Sequence, residues 1–169
     1  MATAEQRLME WLRDAHAMEI QSETMLAFLA DRIESYPDLK AELQRHLERT
    51  REQARRLRRC IERRGGDIST LKDLAARFAA FGQGVGGFFA DDEIVKATLA
   101  AYVFKHLEIG SYAILIAAAN DVDDRQTAVA CIENVKEEED MAVWLRKRLP
   151  AVTMKYLDLE QTPGAEAKV

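Results

Sequence analysis

Apolar residues recur in this chain at alternating intervals of four and three, and this spacing constrains the fold more than any other feature. In the first segment the inward positions form a run that only Glu19 and Ser22 interrupt: Leu8, Leu12, Ala15, Glu19, Ser22, Leu26, Leu29 and Ile33. Such spacing places one stripe of side chains along one face of an α-helix. The stripe predicts a helix over about residues 4–34 that packs this face against a core.

Three further segments keep the same rhythm. They predict helices over about residues 38–64, from 91 or 92 to 120, and from the turn at 121–124 to about 149. Pro37 and the double glycine at 65–66 bound the second helix, and the short loop before it predicts an antiparallel hairpin. Pro150 is expected to interrupt the fourth helix, with a short final helix over 151–159.

A long connection separates the second and third helices. Residues 67–91 contain one short predicted helix, carrying Leu71, Leu74, Phe78 and Phe81, followed by a glycine-rich stretch. This stretch lacks the preceding strand and the following Lys-Ser/Thr of a phosphate loop. The pattern therefore predicts an all-α, ferritin-like four-helix bundle, in which two helical hairpins are joined by a long crossover. We expect one domain over 1–160 and a flexible tail over 161–169.

Composition and charge exclude several classes of protein. The 169 residues carry a net charge of −5, which gives no reason to expect nucleic-acid binding. The N-terminus is charged throughout, and Lys105, His106 and Glu108 interrupt the apolar stretch at 97–119, so neither secretion nor a membrane span is expected. A cytoplasmic location follows. Cys60 and Cys131 lie on apolar stripes without metal-ligand spacing and are predicted to be small buried hydrophobes.

Three acids fall on the stripes that face the core: Glu19, Glu108 and Glu138. Carboxylates do not enter a bundle interior without compensating positive charge. Counting outward from the hairpin loops predicts that Glu108 and Glu138 share a layer, whereas Glu19 faces the region of Arg49 to Gln53.

Four stretches of sequence resemble the YciE/YciF-type ferritin-like proteins, a bacterial stress-associated family. They are RDAHAMEIQ, DLKAELQRHLERTREQARRL, KHLEIGSY and ENVKEEEDM, one on each predicted helix, and the similarity covers about residues 8–149. The resemblance implies a carboxylate-bridged dimetal bundle with metal positions at Glu19, Glu108 and Glu138. His46 and His106 match histidines that recur in the family.

The chain also departs from the pattern that this resemblance implies. The family usually has glutamate where this chain has Arg49 and Lys105, and often aspartate where it has Ala142. A dimetal site commonly draws a Glu from each of two helices and a Glu-x-x-His pair from each of the other two. This chain offers three stripe acids and no inward Glu-x-x-His pair. Glu48 and Glu52 are weak substitutes, because they fall on the outward side of the second helix.

Two interpretations of the polar layer remain open, and with them the question of whether the chain is an enzyme. In the first, Glu19, His46, Glu108 and Glu138 bind iron, manganese or zinc. In the second, Arg49 and Lys105 supply the compensating charge, and the protein is a structural or protein-binding bundle without a metal. Under either interpretation Tyr112 is predicted to be a core tyrosine with its hydroxyl hydrogen-bonded, and we expect a homodimer.

Overall fold

The computed structural model describes residues 1–67 and 94–167, and within these ranges the chain forms four α-helices and no strand. The helices are α1 (Ala4–Arg32), α2 (Pro37–Arg63), α3 (Ile94–Asp121) and α4 (Arg125–Glu160). The prediction of an all-α four-helix bundle is confirmed. The short helix predicted around residues 71–81 lies outside the described residues.

Local sequence explains where three of the helices begin. Thr3 caps α1 in a reciprocal arrangement, because its hydroxyl accepts from the Gln6 amide while the Gln6 side chain accepts from the Thr3 amide. Pro37 opens α2, where its missing N–H leaves no unsatisfied donor. Asp124 caps α4 by accepting a hydrogen bond from the Thr127 amide at 3.1 Å. The tight turn before α4 holds Asp123 at φ 57°, a conformation that aspartate tolerates.

The helices pair as two antiparallel hairpins, α1 with α2 and α3 with α4. Ile94, at the start of α3, packs in one cluster with Ile33 and Leu39 from the turn between α1 and α2. Helices α2 and α3 therefore begin at the same end of the bundle and run parallel. This arrangement requires the long connection that the sequence predicts between them.

Helix α4 does not stop at Pro150, and the prediction that it ends near residue 149 is wrong. The helix continues to Glu160, so the segment predicted as a separate short helix is its last part. A proline inside a helix removes one backbone hydrogen bond and crowds the preceding turn. Pro150 lies on the exposed side of α4, and the buried Leu145 and Val152 on either side of it pack into the same apolar cluster. Packing of the flanking residues thus outweighs the local cost.

The core consists of two apolar clusters with a polar layer between them. One cluster lies towards the N-terminal end of α1 and includes Leu8, Leu12, Leu57 and Leu115. The other lies near the α1–α2 turn and includes Leu26, Leu43, Ala101 and Leu145. The fully buried charged groups Glu19, Lys105, Glu108 and Glu138 fall between the members of these two clusters along their helices. The bundle therefore holds these four groups at mid-height, away from both ends.

Arginines at the C-terminal end of α2 join the two hairpins. Arg63 and Arg64 contact the carboxylate of Asp124 at 2.5 and 2.6 Å, and Asp124 is at the same time the cap of α4. Their hydrogen bonds, together with those of Thr127, outweigh burial and lower the pKa of Asp124. Part of the arginine-rich end of α2 therefore pairs across the bundle.

The apolar helix α3 is a core helix of the bundle. By length and composition it is the one helix in the described ranges that could cross a membrane. It packs against both α1 and α4, however, and buries Lys105 and Glu108 within the protein. Burial in the bundle therefore explains the inward face of the apolar run.

Candidate carboxylate site in the core

All four helices contribute to the polar layer through side chains that are fully buried. Its members share one height in the bundle and have a relative exposure of 0%: Glu19 and Ser22 from α1, His46, Thr50 and Gln53 from α2, Lys105 and Glu108 from α3, and Asn134 and Glu138 from α4. Their spacing of three or four residues within each helix brings them to the inward face. The residue spacing in the sequence thus correctly placed Glu19, Glu108 and Glu138 on the inward faces of their helices.

The ammonium group of Lys105 lies at the centre of this layer. Its Nζ is 2.6 Å from Glu108 Oε2 and 2.7 Å from Glu138 Oε2. It also lies 3.0 Å from His46 Nε2 and 3.2 Å from Ser22 Oγ. The cation therefore has one close partner on each of the four helices.

The geometry of His46 indicates that its ring is neutral. Its Nε2 lies 3.0 Å from Lys105 Nζ, and because an ammonium can only donate, this nitrogen must act as the acceptor. Burial, and then the charge of Lys105, lower the pKa of His46, which agrees with a neutral ring. The same Nε2 lies 3.3 Å from Glu138 Oε1. The reach of the His46 ring thus brings it into contact with Glu138 on α4.

Glu19 belongs to a second group of contacts within the layer. The hydroxyl of Tyr112 donates a short hydrogen bond to Glu19 Oε1 and accepts one from Asn134 Nδ2 at 2.9 Å. Asn134 in turn donates weakly to the backbone carbonyl of Gln53 at 3.4 Å. The prediction that Tyr112 is a buried tyrosine with a satisfied hydroxyl is confirmed.

The three acids and the lysine of the layer do not all carry charge at neutral pH. Burial, reinforced by the charge of Glu138, raises the pKa of Glu19 to about 8 and raises that of Glu108 as well. For Glu138, the charge of Lys105 outweighs burial and lowers the pKa. For Lys105, the charges of Glu108 and Glu138 outweigh burial, and its pKa rises. Lys105 and Glu138 thus form an ionised pair, whereas Glu19 is protonated at neutral pH.

The second carboxyl oxygen of Glu19 agrees with this assignment. Glu19 Oε2 is buried and has no hydrogen-bond partner among the described residues. An ionised Glu19 would bury negative charge on an oxygen without a donor, whereas the protonated acid is neutral. A neutral Glu19 therefore lowers the cost of burying this side chain.

The donor set fits two metal ions poorly. One oxygen from each of Glu19, Glu108 and Glu138 lies within 4.8 Å of the others, close enough for a single ion to touch all three. The ammonium of Lys105 already contacts two of these carboxylates. Two ions would need about six ligands, and His106, which matches a family histidine, is exposed on α3 and stacks on Tyr102 instead. A dimetal centre does not fit these residues.

The expectation that Arg49 helps to neutralise the core acids is wrong. Arg49 is exposed on α2, one position before the inward Thr50. Counting residues from the hairpin loop gives the height of a side chain but not its direction, and adjacent helical positions point about 100° apart. Within the described residues, Lys105 is therefore the cation that reaches the carboxylates directly. Glu48 lies outward as predicted, and Glu52 pairs with Arg55 and Arg59 on the surface.

Sequence reasoning missed Asn134. Asn134 is fully buried, whereas its apolar neighbour Val135 is only half-buried. The signal was present, because Asn134 lies four residues before Glu138 and hence on the same helical face. A polar residue one turn from an inward acid is a candidate partner in the same network.

Comparisons with known proteins place the chain among bacterial helical bundles. A family model described as "Domain of unknown function (DUF892)" matches residues 3–158. A crystal structure of a protein from Xanthomonas campestris is 35% identical, with a TM-score of 0.81, covering 95% of this chain and all of that one. The Escherichia coli stress protein YciF is 25% identical (TM-score 0.76; 88% of this chain, 96% of that one). YcfI of Rhodopseudomonas palustris, a proposed structural protein, is also 25% identical, with a TM-score of 0.68, and the match covers 86% of this chain and 94% of that one.

Proposed function

Because the chain belongs to the DUF892 family and is similar to a bacterial stress protein, we propose that it is a stress-associated bundle that works without a dimetal redox centre. In this proposal it acts as a structural or protein-binding component. Its carboxylate layer then serves to specify the packing of four helices. A polar group that must find its partners can fix the register of helices that apolar contacts alone would leave free to slide.

The observation that carries this proposal is the position of Lys105. Its ammonium lies between Glu108 and Glu138, with contacts of 2.6 and 2.7 Å, at the place where a metal ion shared by these acids would have to bind. Catalysis at a metal needs an open coordination position beside the ion. A lysine tethered among the ligands supplies the positive charge but no such position.

The test is metal analysis of the purified protein, followed by titration of the chelator-treated protein with ferrous iron. We expect no stoichiometric metal and no oxidation of ferrous iron above the rate of the buffer, with either oxygen or peroxide. Stoichiometric iron together with turnover that saturates with protein would overturn the proposal.

A second candidate function, the binding of one iron or manganese ion, is supported by the close approach of the carboxylate oxygens of Glu19, Glu108 and Glu138. His46, which contacts Glu138, completes the candidate ligand set. Such binding requires the Lys105 ammonium to leave the layer. It predicts one ion per chain in the unmodified protein and its loss in Glu138→Gln, whereas Glu48→Gln on the outer face of α2 retains it.

We also propose that the protein is a cytoplasmic homodimer. The cytoplasm suits its two buried free thiols, Cys60 and Cys131. Exposed apolar side chains such as Val103 and Ile114 on α3 leave surface that association would cover. Light scattering on the eluting peak is expected to give twice the 19.1 kDa mass of one chain, and a monomer at micromolar concentration would contradict it.

A further inference from the structure

We propose that Lys105 is a built-in cation that takes the place of a metal ion, so that exchanging its ammonium for a carboxylate turns the layer into a metal-binding site. This inference rests on the proposed function, because it explains how a core with three acids folds without a metal. It goes further in treating the ammonium and a metal ion as interchangeable at one position.

The surroundings of the ammonium are those of an ion bound by several helices. Its partners are two carboxylate oxygens, one imidazole nitrogen and one hydroxyl, contributed by α3, α4, α2 and α1 in turn. An ammonium has three N–H donors, so four partners exceed what it can serve with separate hydrogen bonds. Oxygen and imidazole nitrogen are also the donor types that bind manganese, iron and zinc. The four partners thus form a coordination shell for a cation, with more ligands than the ammonium of lysine can serve.

Charge explains why the layer depends on that cation. Glu19, Glu108 and Glu138 each have a relative exposure of 0%, and one oxygen from each lies within 4.8 Å of the others. Removing one member of a buried ion pair leaves an uncompensated charge in the core. A layer without Lys105 therefore requires positive charge from another source.

Length explains why a glutamate at position 105 would leave room for an ion. Its carboxylate oxygens end one bond short of the position that the lysine nitrogen occupies. The space now held by Nζ, beside Glu108, Glu138 and His46, would then be bordered by a further carboxylate. Transition-metal ions bind oxygen and imidazole nitrogen at about 2.0–2.2 Å, shorter than the present contacts to Nζ, so closure of the shell requires only a small inward shift.

The experiment compares the full-length protein with Lys105→Glu. Each chelator-treated protein is titrated with manganese(II) and, separately, zinc(II), and metal content and thermal midpoint are measured. We expect about one ion per chain and a midpoint that rises with metal concentration for Lys105→Glu, and neither effect for the unmodified protein. Adding Glu138→Gln to Lys105→Glu is expected to abolish the binding.

The matched control is Lys136→Glu, which makes the same change of charge at an exposed position of α4 close to Glu138. It is expected to gain no metal and no metal-dependent midpoint. Binding by this variant equal to that of Lys105→Glu would show that added negative charge alone attracts the ion, and would overturn the inference.

A second variant keeps the inference testable if Lys105→Glu fails to fold. Lys105→Ala removes the part of the lysine side chain beyond Cβ, which has the same size and charge as propylammonium. Added propylammonium is therefore expected to raise its thermal midpoint, while propanol, which has the same length and no charge, is not.

The outcomes separate the two proposals. Stoichiometric iron in the unmodified protein, together with turnover that saturates with protein, would overturn the proposed function. An unmodified protein without metal, combined with a Lys105→Glu variant that gains no metal dependence or a Lys105→Ala variant indifferent to propylammonium, would overturn the inference alone.

Discussion

Glu19 differs from the other two core acids in having no ion-pair contact with the lysine. Its contact in the layer is the short hydrogen bond from Tyr112, and its second oxygen has no partner among the described residues. Burial, and then the charge of Glu138, raise its pKa from 4.5 to about 8. Glu19 is therefore held in the core as a neutral acid.

This protonation makes the stability of the protein depend on pH in a direction that can be stated. Below pH 4.5 both states carry the proton on Glu19, but between pH 4.5 and 8 only the folded state retains it. The folded state then binds more protons than the unfolded state, so its contribution to stability falls as pH rises through this window. The thermal midpoint of Glu19→Gln minus that of the unmodified protein is therefore expected to be larger at about pH 9 than at about pH 5.

The control for this comparison is Glu10→Gln, at an exposed position on the same helix where the carboxylate pairs with Arg7. Its midpoint difference from the unmodified protein should not grow in the same way. A Glu19→Gln difference that is equal at both pH values would show that Glu19 is ionised in the fold. In a chain of this size each kcal/mol corresponds to about 2–4 °C.

At single positions, the sequence predicts burial better than it predicts partners. The three acids, Lys105 and Tyr112 could be placed inward because their spacing matches the apolar stripes. That Lys105 contacts Glu138 on another helix, and not only Glu108 three residues away, depends on the distance between α3 and α4 and on the reach of a long side chain. Neither quantity is contained in the spacing.

Among the elements, α4 shows how tertiary packing overrides a local signal. Its 36 residues run through Pro150, which breaks a backbone hydrogen bond inside the helix. Pro150→Ala is expected to stabilise the protein, by up to about 3 kcal/mol, because the helix geometry is kept and the missing donor returns. Urea unfolding measures the change.

A neighbouring exposed position supplies the comparison. Ala151→Gly is expected to lower stability by about 1 kcal/mol, as glycine does within a helix. If Pro150→Ala instead lowered stability, the proline would be favoured by its restriction of the unfolded chain more than it costs the helix.

The ends of the helices were predictable from Pro37 and from the glycines at 65–66, but not from Pro150. Pro37 was recognised as a helix start because proline is suited to the first turn. Pro150 was taken for an end because its effect on a helix interior is unfavourable when considered alone. The outcome depended on Leu145 and Val152, which join the same cluster of the core on either side of it.

At the scale of the whole molecule, the chain returns to its first turn after α4 ends. The Ser35 hydroxyl donates to the Glu166 carbonyl and the Tyr36 hydroxyl to the Ala167 carbonyl, both at 2.8 Å. Tyr36 and Ala167 are buried where they meet. These contacts connect residues 131 positions apart, and the mobility that we predict for residues 161–169 can be tested against them.

Removing residues 161–169 tests how much this contact stabilises the bundle. The truncated chain is expected to lose about 1–3 kcal/mol, because the buried Tyr36 hydroxyl is left without an acceptor. Tyr36→Phe in the truncated chain should restore part of the loss, since it removes the orphaned donor. An unchanged unfolding midpoint after truncation would show that the segment is mobile and contributes nothing.

The distribution of charge between the two halves of the bundle has a consequence for assembly. Lys105 and both of the acids that contact it belong to α3 and α4, whereas among the described residues the first hairpin contacts the ammonium through His46 and Ser22. The ion pairs of the layer can therefore form within the second hairpin before it docks onto the first during folding. Docking then adds the contacts from His46 and Ser22 and removes the ion pairs from water.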